Sequence, residues 1–159
     1  MKVLYLTEDL YSQVHWNLCK SLVNFNPEIK VTYVAMERYR KNRDLRTNRD
    51  EIVGLEEVLI PCNYNKILYK FLFPYKVKKK KQLLLSKLDV IKFDFIYAST
   101  LFSDGSFAYE MYKKYGIPYV VCVRSTDINL YIRKLSYLHK YGRNILRNAQ
   151  KIICISKSQ

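Results

Sequence analysis

The sequence is short of the residues that build turns, staples and metal centres. Its 159 residues hold four glycines and four prolines against 49% hydrophobic and 14% aromatic residues. Collagen-like, low-complexity and disordered classes are thereby excluded, and the chain can build a full hydrophobic core. The four cysteines, Cys19, Cys62, Cys122 and Cys154, lie far apart with no Cys-x-x-Cys pair. That spacing argues against a disulfide scaffold, a zinc module or a thioredoxin-like redox centre. Cys122 and Cys154 fall inside apolar runs and read as buried, reduced thiols. With two histidines, His15 and His139, and no carboxylate cluster beside them, no metal site is expected.

Long hydrophobic runs are missing too. Lys or Arg interrupts each stretch before it reaches the ~20 apolar residues of a spanning helix. The apolar start at residues 3–6 turns acidic at Glu8 and Asp9, too soon for a signal peptide. The expected location is cytoplasmic, with peripheral contact at the inner face of the cell membrane. The first strand-to-helix turn contains no glycine, and neither Gly-x-Gly-x-x-Gly nor the Gly-x-x-x-x-Gly-Lys-[Ser/Thr] loop occurs. A dinucleotide cofactor or NTPase mechanism is disfavoured accordingly.

What is present is an alternation. Short runs rich in β-branched and aromatic residues at 2–7, 30–34, 53–60, 93–98, 119–123 and 151–155 read as strands, with helical periodicity between them. This predicts an α/β domain spanning residues 1–159: a Rossmann-like open, mostly parallel twisted sheet of about six or seven strands with helices on both faces. Ser12 is a candidate N-cap for a first helix carrying Val14, Leu18 and Leu22 on one face and stopping before Pro27. A second helix is expected from Asp104, burying Phe107, Ala108, Met111 and Tyr115, with a Glu110–Lys114 pair and a stop at Gly116. A third reads as one long helix from Asp127 through Leu146. The chain closes at residues 155–159 just past an apolar strand, which reads as a cut from something longer.

Open parallel sheets bind ligands beyond the carboxyl ends of their strands. The residues placed there are Glu8 and Asp9 after the first strand, Asp104 and Gly105 after the fourth, Arg124, Ser125, Thr126 and Asp127 after the fifth, and Ser156 after the last. The fork of Arg124, two hydroxyls and a carboxylate suits a sugar, phosphate or pyrophosphate. The same four residues also fit a plain helix start, with Asp127 as cap and Arg124 paired to Glu8 or Asp9. Asp104 and Gly105 likewise fit either a cap or a loop that approaches a ligand. His15 lies near the same rim, where a lone helical histidine is commonly a partly exposed surface group.

Charge is concentrated. The chain carries 28 Lys plus Arg against 14 Asp plus Glu, a formal net charge of +14. Residues 66–81 contain seven lysines and no acid, interleaved with aromatics. Lys76, Lys78, Lys79, Lys80 and Lys81 with Phe71, Phe73 and Tyr75 form a stretch of the kind that settles on an anionic membrane surface. Nucleic acid competes for the same chemistry, although no recognition helix, RNP-type strand or zinc module accompanies the stretch.

In order along the chain come Asp94-Phe95-Ile96-Tyr97-Ala98, Gly105 with its helix, Gly116-Ile117-Pro118-Tyr119-Val120-Val121, Arg124-Ser125-Thr126-Asp127-Ile128 and Ala149-Gln150-Lys151-Ile152-Ile153-Cys154-Ile155-Ser156. This series resembles the N-terminal half of a GT-B fold glycosyltransferase, nearest to glycosyltransferase family 4. It departs from the family in having no Gly-Gly turn after the first strand and in placing Ser125 where the family has glycine. The resemblance implies a bacterial-type envelope polysaccharide enzyme. It would move a sugar from a nucleotide-sugar donor to a glycan or lipid-linked acceptor, with retention and without an essential metal. It further implies that this half binds the acceptor and no cofactor of its own, the nucleotide sugar being held by a C-terminal half that the sequence does not contain. The half alone is then expected to fold without turning over substrate. On this view Arg124 and Asp127 are the catalytic candidates, with Glu8, Asp9, His15, Asp104, Gly105, Ser125, Thr126 and Ser156 lining the substrate. The alternative is a non-catalytic basic module for nucleic acid or anionic membrane.

Overall fold

The structure, a computed structural model, describes residues 1–9, 12–38, 51–62 and 72–154. In chain order these form β1 (Lys2–Thr7), α1 (Gln13–Phe25), β2 (Lys30–Arg38), β3 (Leu55–Cys62), α2 (Phe73–Lys87), β4 (Phe95–Ala98), α3 (Ser103–Tyr115), β5 (Tyr119–Val123), α4 (His139–Asn148) and β6 (Lys151–Cys154). The six strands make one sheet in the order β3-β2-β1-β4-β5-β6, every pair parallel. This is the Rossmann order, and its switch point lies between β1 and β4.

Strand alternation sorts the core into two layers. Val3 and Tyr5 of β1, with Val31, Tyr33 and Ala35 of β2, face Trp16, Cys19 and Val23 of α1. Leu4, Leu6, Val34, Ile96, Ala98, Val121 and Val123 face the other way, onto Phe73 and Leu84 of α2, Phe107, Ala108 and Met111 of α3, and Ile145 of α4. Both faces of β1 are covered, which is why its sequence is apolar without alternation.

Helix boundaries follow the capping signals more closely than the predicted faces. The Ser12 hydroxyl accepts from the His15 N–H at 3.4 Å, and Gly116 ends α3 in the left-handed region at φ 72°. The buried face of α1 is His15, Trp16, Cys19 and Val23, however, and Val14 is 76% exposed. Trp16 decides that rotation: its large ring stands edge-on to Tyr33 at 5.7 Å. Tyr115 is likewise exposed, and Glu110 pairs with Lys113 at 2.7 Å instead of Lys114.

The long third helix is broken. A π-helical segment, Asp127–Ile132, and a short 3-10 turn, Ser136–Leu138, precede α4. The break frees the Ile132 carbonyl, which lies 2.6 Å from the His139 Nε2. Cys154, expected to be buried, is exposed, as are Ile152 and Ile153. Their strand is the sheet edge, paired with β5 alone, and no described helix covers it.

Candidate functional site

The carboxyl ends of β1, β4 and β5 bring the predicted rim residues to one place, together with two lysines that the sequence reading put elsewhere. Glu8 follows β1, and Asp104 stands in the first turn of α3, following β4. Between them, from α2, come Lys76 and Lys80. Lys80 Nζ lies 2.5 Å from Asp104 Oδ1 and 3.3 Å from Glu8 Oε1. Lys76 Nζ lies 3.0 Å from Glu8 Oε1 and donates to Ser103 Oγ at 2.6 Å. The hydroxyls of Ser99 and Thr100 complete the Asp104 carboxylate at 2.9 and 3.0 Å, and the Asp104 N–H returns to Thr100 Oγ1.

Lys80 is 2% exposed and Lys76 8%, so neither serves a membrane surface. A lysine buried this far is tolerated only with a full set of partners, and the two carboxylates supply it. Burial by itself would raise the Glu8 carboxyl, but the ion pairs with Lys80 and Lys76 outweigh it and hold the group down to about 2. Burial would lower the Lys80 ammonium, and Asp104 and Glu8 reverse that and raise it. Phe73, another of the predicted surface groups, is in the core against Phe102 and Tyr131. Of the remaining predicted surface residues, Tyr75 and Lys78 are exposed, Lys79 and Lys81 are half-buried, and Phe71 lies outside the described residues.

A second cluster joins β1, α1 and β5. Tyr33, Tyr5 and Tyr97 are register partners on β2, β1 and β4, and their rings stack across the sheet with centroids 5.6 and 4.5 Å apart. The Tyr5 hydroxyl meets His15 Nδ1 at 2.5 Å, and the other ring nitrogen of His15 meets an Arg124 Nη2. Arginine only donates, so His15 Nε2 accepts and the imidazole is neutral with its proton on Nδ1. Burial, and then the Arg124 charge, lower the His15 pKa, consistent with that assignment. His15 is 5% exposed, not the surface group that its place in the sequence suggested.

Asp127 is buried, the third residue of the helical turn that opens at Ser125. Its carboxylate accepts the backbone N–H groups of Leu101 at 3.1 Å, Phe102 at 3.2 Å and Arg124 at 2.9 Å. The last of these is the return half of a capping box, reaching from the third helical residue back to the cap residue Arg124, so Asp127 does serve the helix start as the sequence suggested. Burial raises the Asp127 pKa, and these three donors oppose it. The carboxylate therefore fixes the β5 loop against the start of α3 and has little capacity left for a substrate. No ion pair among the described residues includes Arg124, and its buried Nε has no hydrogen-bond partner. The expected pairing of Arg124 with Glu8 or Asp9 is replaced by the His15 contact.

Gly105, predicted beside a ligand, is inside the packing instead. A Cβ there would stand 3.0 Å from Val121 Cγ2 and 3.1 Å from Ile145 Cγ2, so the residue admits α3 against the sheet. Asp9, Ser125 and Thr126 are exposed on the rim, and Ser156 lies outside the described residues. Sequence reasoning missed Lys76, Lys80 and the tyrosine row. Spacing offered one signal: Lys76 and Lys80 are i, i+4 on a helix whose Phe73 and Leu84 are apolar on the adjoining stripe.

The rim can thus present a guanidinium held by a neutral imidazole, exposed hydroxyls and a partly exposed carboxylate to a polar ligand. Among the described residues no group of three or more His, Cys, Asp or Glu side chains is placed to hold a metal ion. No helix among them is long and apolar enough to cross a membrane. No protein-family model matches the chain, and no curated protein matches it in sequence.

Two outcomes follow from this geometry. Lys80→Met leaves Asp104 buried without its cation and should lower stability by about 3–5 kcal/mol in urea denaturation; a loss below about 1 kcal/mol would show that Asp104 does not depend on Lys80. The folded-state pKa of His15 lies below its ordinary 6.5. On acidification the unfolded chain takes up that proton before the folded one, so stability is complete above this value and is lost as pH falls below it. The melting temperature should drop between pH 7 and pH 5, and His15→Gln should flatten that slope.

Proposed function

We propose that the chain is the acceptor-side half of a GT-B type glycosyltransferase, passing a sugar from a nucleotide-sugar donor to a glycan or lipid-linked acceptor with retention. The observation that carries this reading is the placement of Arg124, Thr126, Glu8 and Asp9 beyond the carboxyl ends of β1 and β5 in a Rossmann-order sheet. A glycine-rich turn serves close approach to a pyrophosphate. The first turn here, departing from the Gly-Gly turn of the family it resembles, offers no such cradle, and the reading assigns the nucleotide to a second half.

In transfer the bond from the sugar C1 to the leaving diphosphate oxygen breaks with its electron pair on that oxygen, and a bond from C1 to an acceptor oxygen forms as that hydroxyl gives its proton to the departing diphosphate. Within this reading Arg124 is the catalytic residue: it offers a permanent cation to the charge that develops on the departing phosphate. Asp127, the other sequence candidate, becomes a positioning residue for the Arg124 loop. Glu8, held ionised by two lysines, is too weak a base to take the acceptor proton at neutral pH and serves as a hydrogen-bond acceptor for a sugar hydroxyl. Tyr75, Lys78, Lys79 and Lys81 would rest the domain on an anionic leaflet, at about 1 kcal/mol per lysine.

Amide shifts of the labelled protein should report the site. With glucose 1-phosphate or maltose, shifts are expected at Glu8, Asp9, Arg124, Ser125 and Thr126, and Arg124→Ala should weaken the phosphorylated probe at least about tenfold. No shift with either sugar at millimolar concentration, alongside salt-sensitive binding of single-stranded RNA, would replace this reading with a non-catalytic basic module.

A further inference from the structure

Beside the buried lysine pairs, about a quarter to a third of a turn around α2, lies an open groove of about 620 Å³ between α2, α3 and the start of α4. Phe73, Pro74 and Val77 form one wall, and Leu138 and Tyr141 form the other. Lys78 and Lys81 stand on the same side of α2 at its edge, with Tyr137, 53% exposed, opposite. Glu110, the one acidic group in the lining, is already engaged: it lies 2.7 Å from Lys113 and 3.6 Å from Lys81.

We propose that this groove binds a single hydrocarbon chain of an anionic amphiphile, with the phosphate or carboxylate head on Lys78 and Lys81. The proposal goes beyond glycosyl transfer and does not rest on it. Size selects the occupant. A helix 10–12 Å across sweeps roughly 400–600 Å³ per turn, so the groove would seat little more than one turn of a partner helix. Its volume is within the roughly 300–1,000 Å³ of sites that enclose small ligands. Taking a methylene as close to the ~30 Å³ of a water molecule, a chain of roughly a dozen to twenty carbons fits.

Charge selects the head. Apolar walls alone would accept a neutral detergent equally well. The two lysines at the mouth, on a helix that carries Lys76, Lys78, Lys79, Lys80, Lys81 and Lys87 and no acidic residue, favour an anion. The 3.6 Å separation of Lys81 from Glu110 is long enough for a phosphate oxygen to compete for that ammonium. Tyr137 suits the boundary between chain and head, with an apolar ring and a polar tip.

The test is displacement of a dansyl-labelled undecanoic acid from the intact chain by monomeric alkyl phosphates, hexyl to dodecyl, below their critical micelle concentrations. Affinity should rise with length, by up to about fourfold per methylene. Dodecyl maltoside, of equal length and neutral head, should bind at least about tenfold more weakly than dodecyl phosphate. Lys78→Gln with Lys81→Gln should erase that difference, and Val77→Phe, which narrows the groove, should weaken binding of both at least about tenfold. Affinity independent of chain length, equal binding of phosphate and maltoside, or undiminished binding by Val77→Phe would overturn the proposal. So would binding confined to vesicles of phosphatidylglycerol with none to the monomers, which would indicate a flat membrane contact. The length series needs no variant, so a misfolded substitution does not remove the test. Glucose 1-phosphate shifts at Arg124 are read separately, so failure of the groove and failure of the sugar site are distinguishable.

Discussion

Two lysines of α2 are buried against one carboxylate from the end of β1 and one from the start of α3, and the rest of the rim is arranged around that fact. Taking an ion out of water costs several kcal/mol, and four ions are involved. Their charges sum to zero, and Ser99, Thr100 and Ser103 satisfy remaining lone pairs and protons. Such a network adds little net stability over an apolar core, but it has few alternative arrangements. Because Glu8 belongs to β1 and Asp104 to the helix after β4, it joins the two sides of the switch point and ties α2 to both.

That tie divides labour among the polar residues. The groups that look most reactive in the sequence are largely occupied: Asp104 by Lys80 and two hydroxyls, Asp127 by three backbone donors, His15 by Tyr5 and Arg124. What stays exposed is a smaller set, namely Asp9, Ser125 and Thr126, with parts of Arg124 and Glu8. The buried groups act through these. Asp127 sets the loop that carries Arg124, and His15 sets the direction of its fork only while it remains neutral. The same helix that brings Lys76 and Lys80 inward turns Val77, Lys78 and Lys81 toward the neighbouring groove, since successive residues are about 100° apart around a 3.6-residue turn.

Much of the fold was legible in the sequence because it rests on local chemistry. β1 and β5 coincide with their apolar runs, Ser12 caps α1, and Gly116 ends α3. The faces of α1 were not legible, since Val14, Leu18 and Leu22 have the right spacing and only contact with Tyr33 shows that Trp16 turns inward. The break after Ile132 was hidden for a similar reason: apolar spacing persists through a π-helical turn. The rim was read in outline, and Glu8, Asp104, Arg124 and Asp127 do gather there. The lysines were misread because a run of like charges signals a solvated face unless carboxylates distant in sequence meet it, and residues 8 and 104 are brought to α2 by topology alone.

The most direct test of this arrangement is titration of the Glu8 side-chain carboxyl by NMR. If Lys76 and Lys80 hold it across the switch point, it should titrate near 2. A midpoint near the ordinary 4.5 would mean that the lysines are not paired to it, and the rim as described here would not exist in solution.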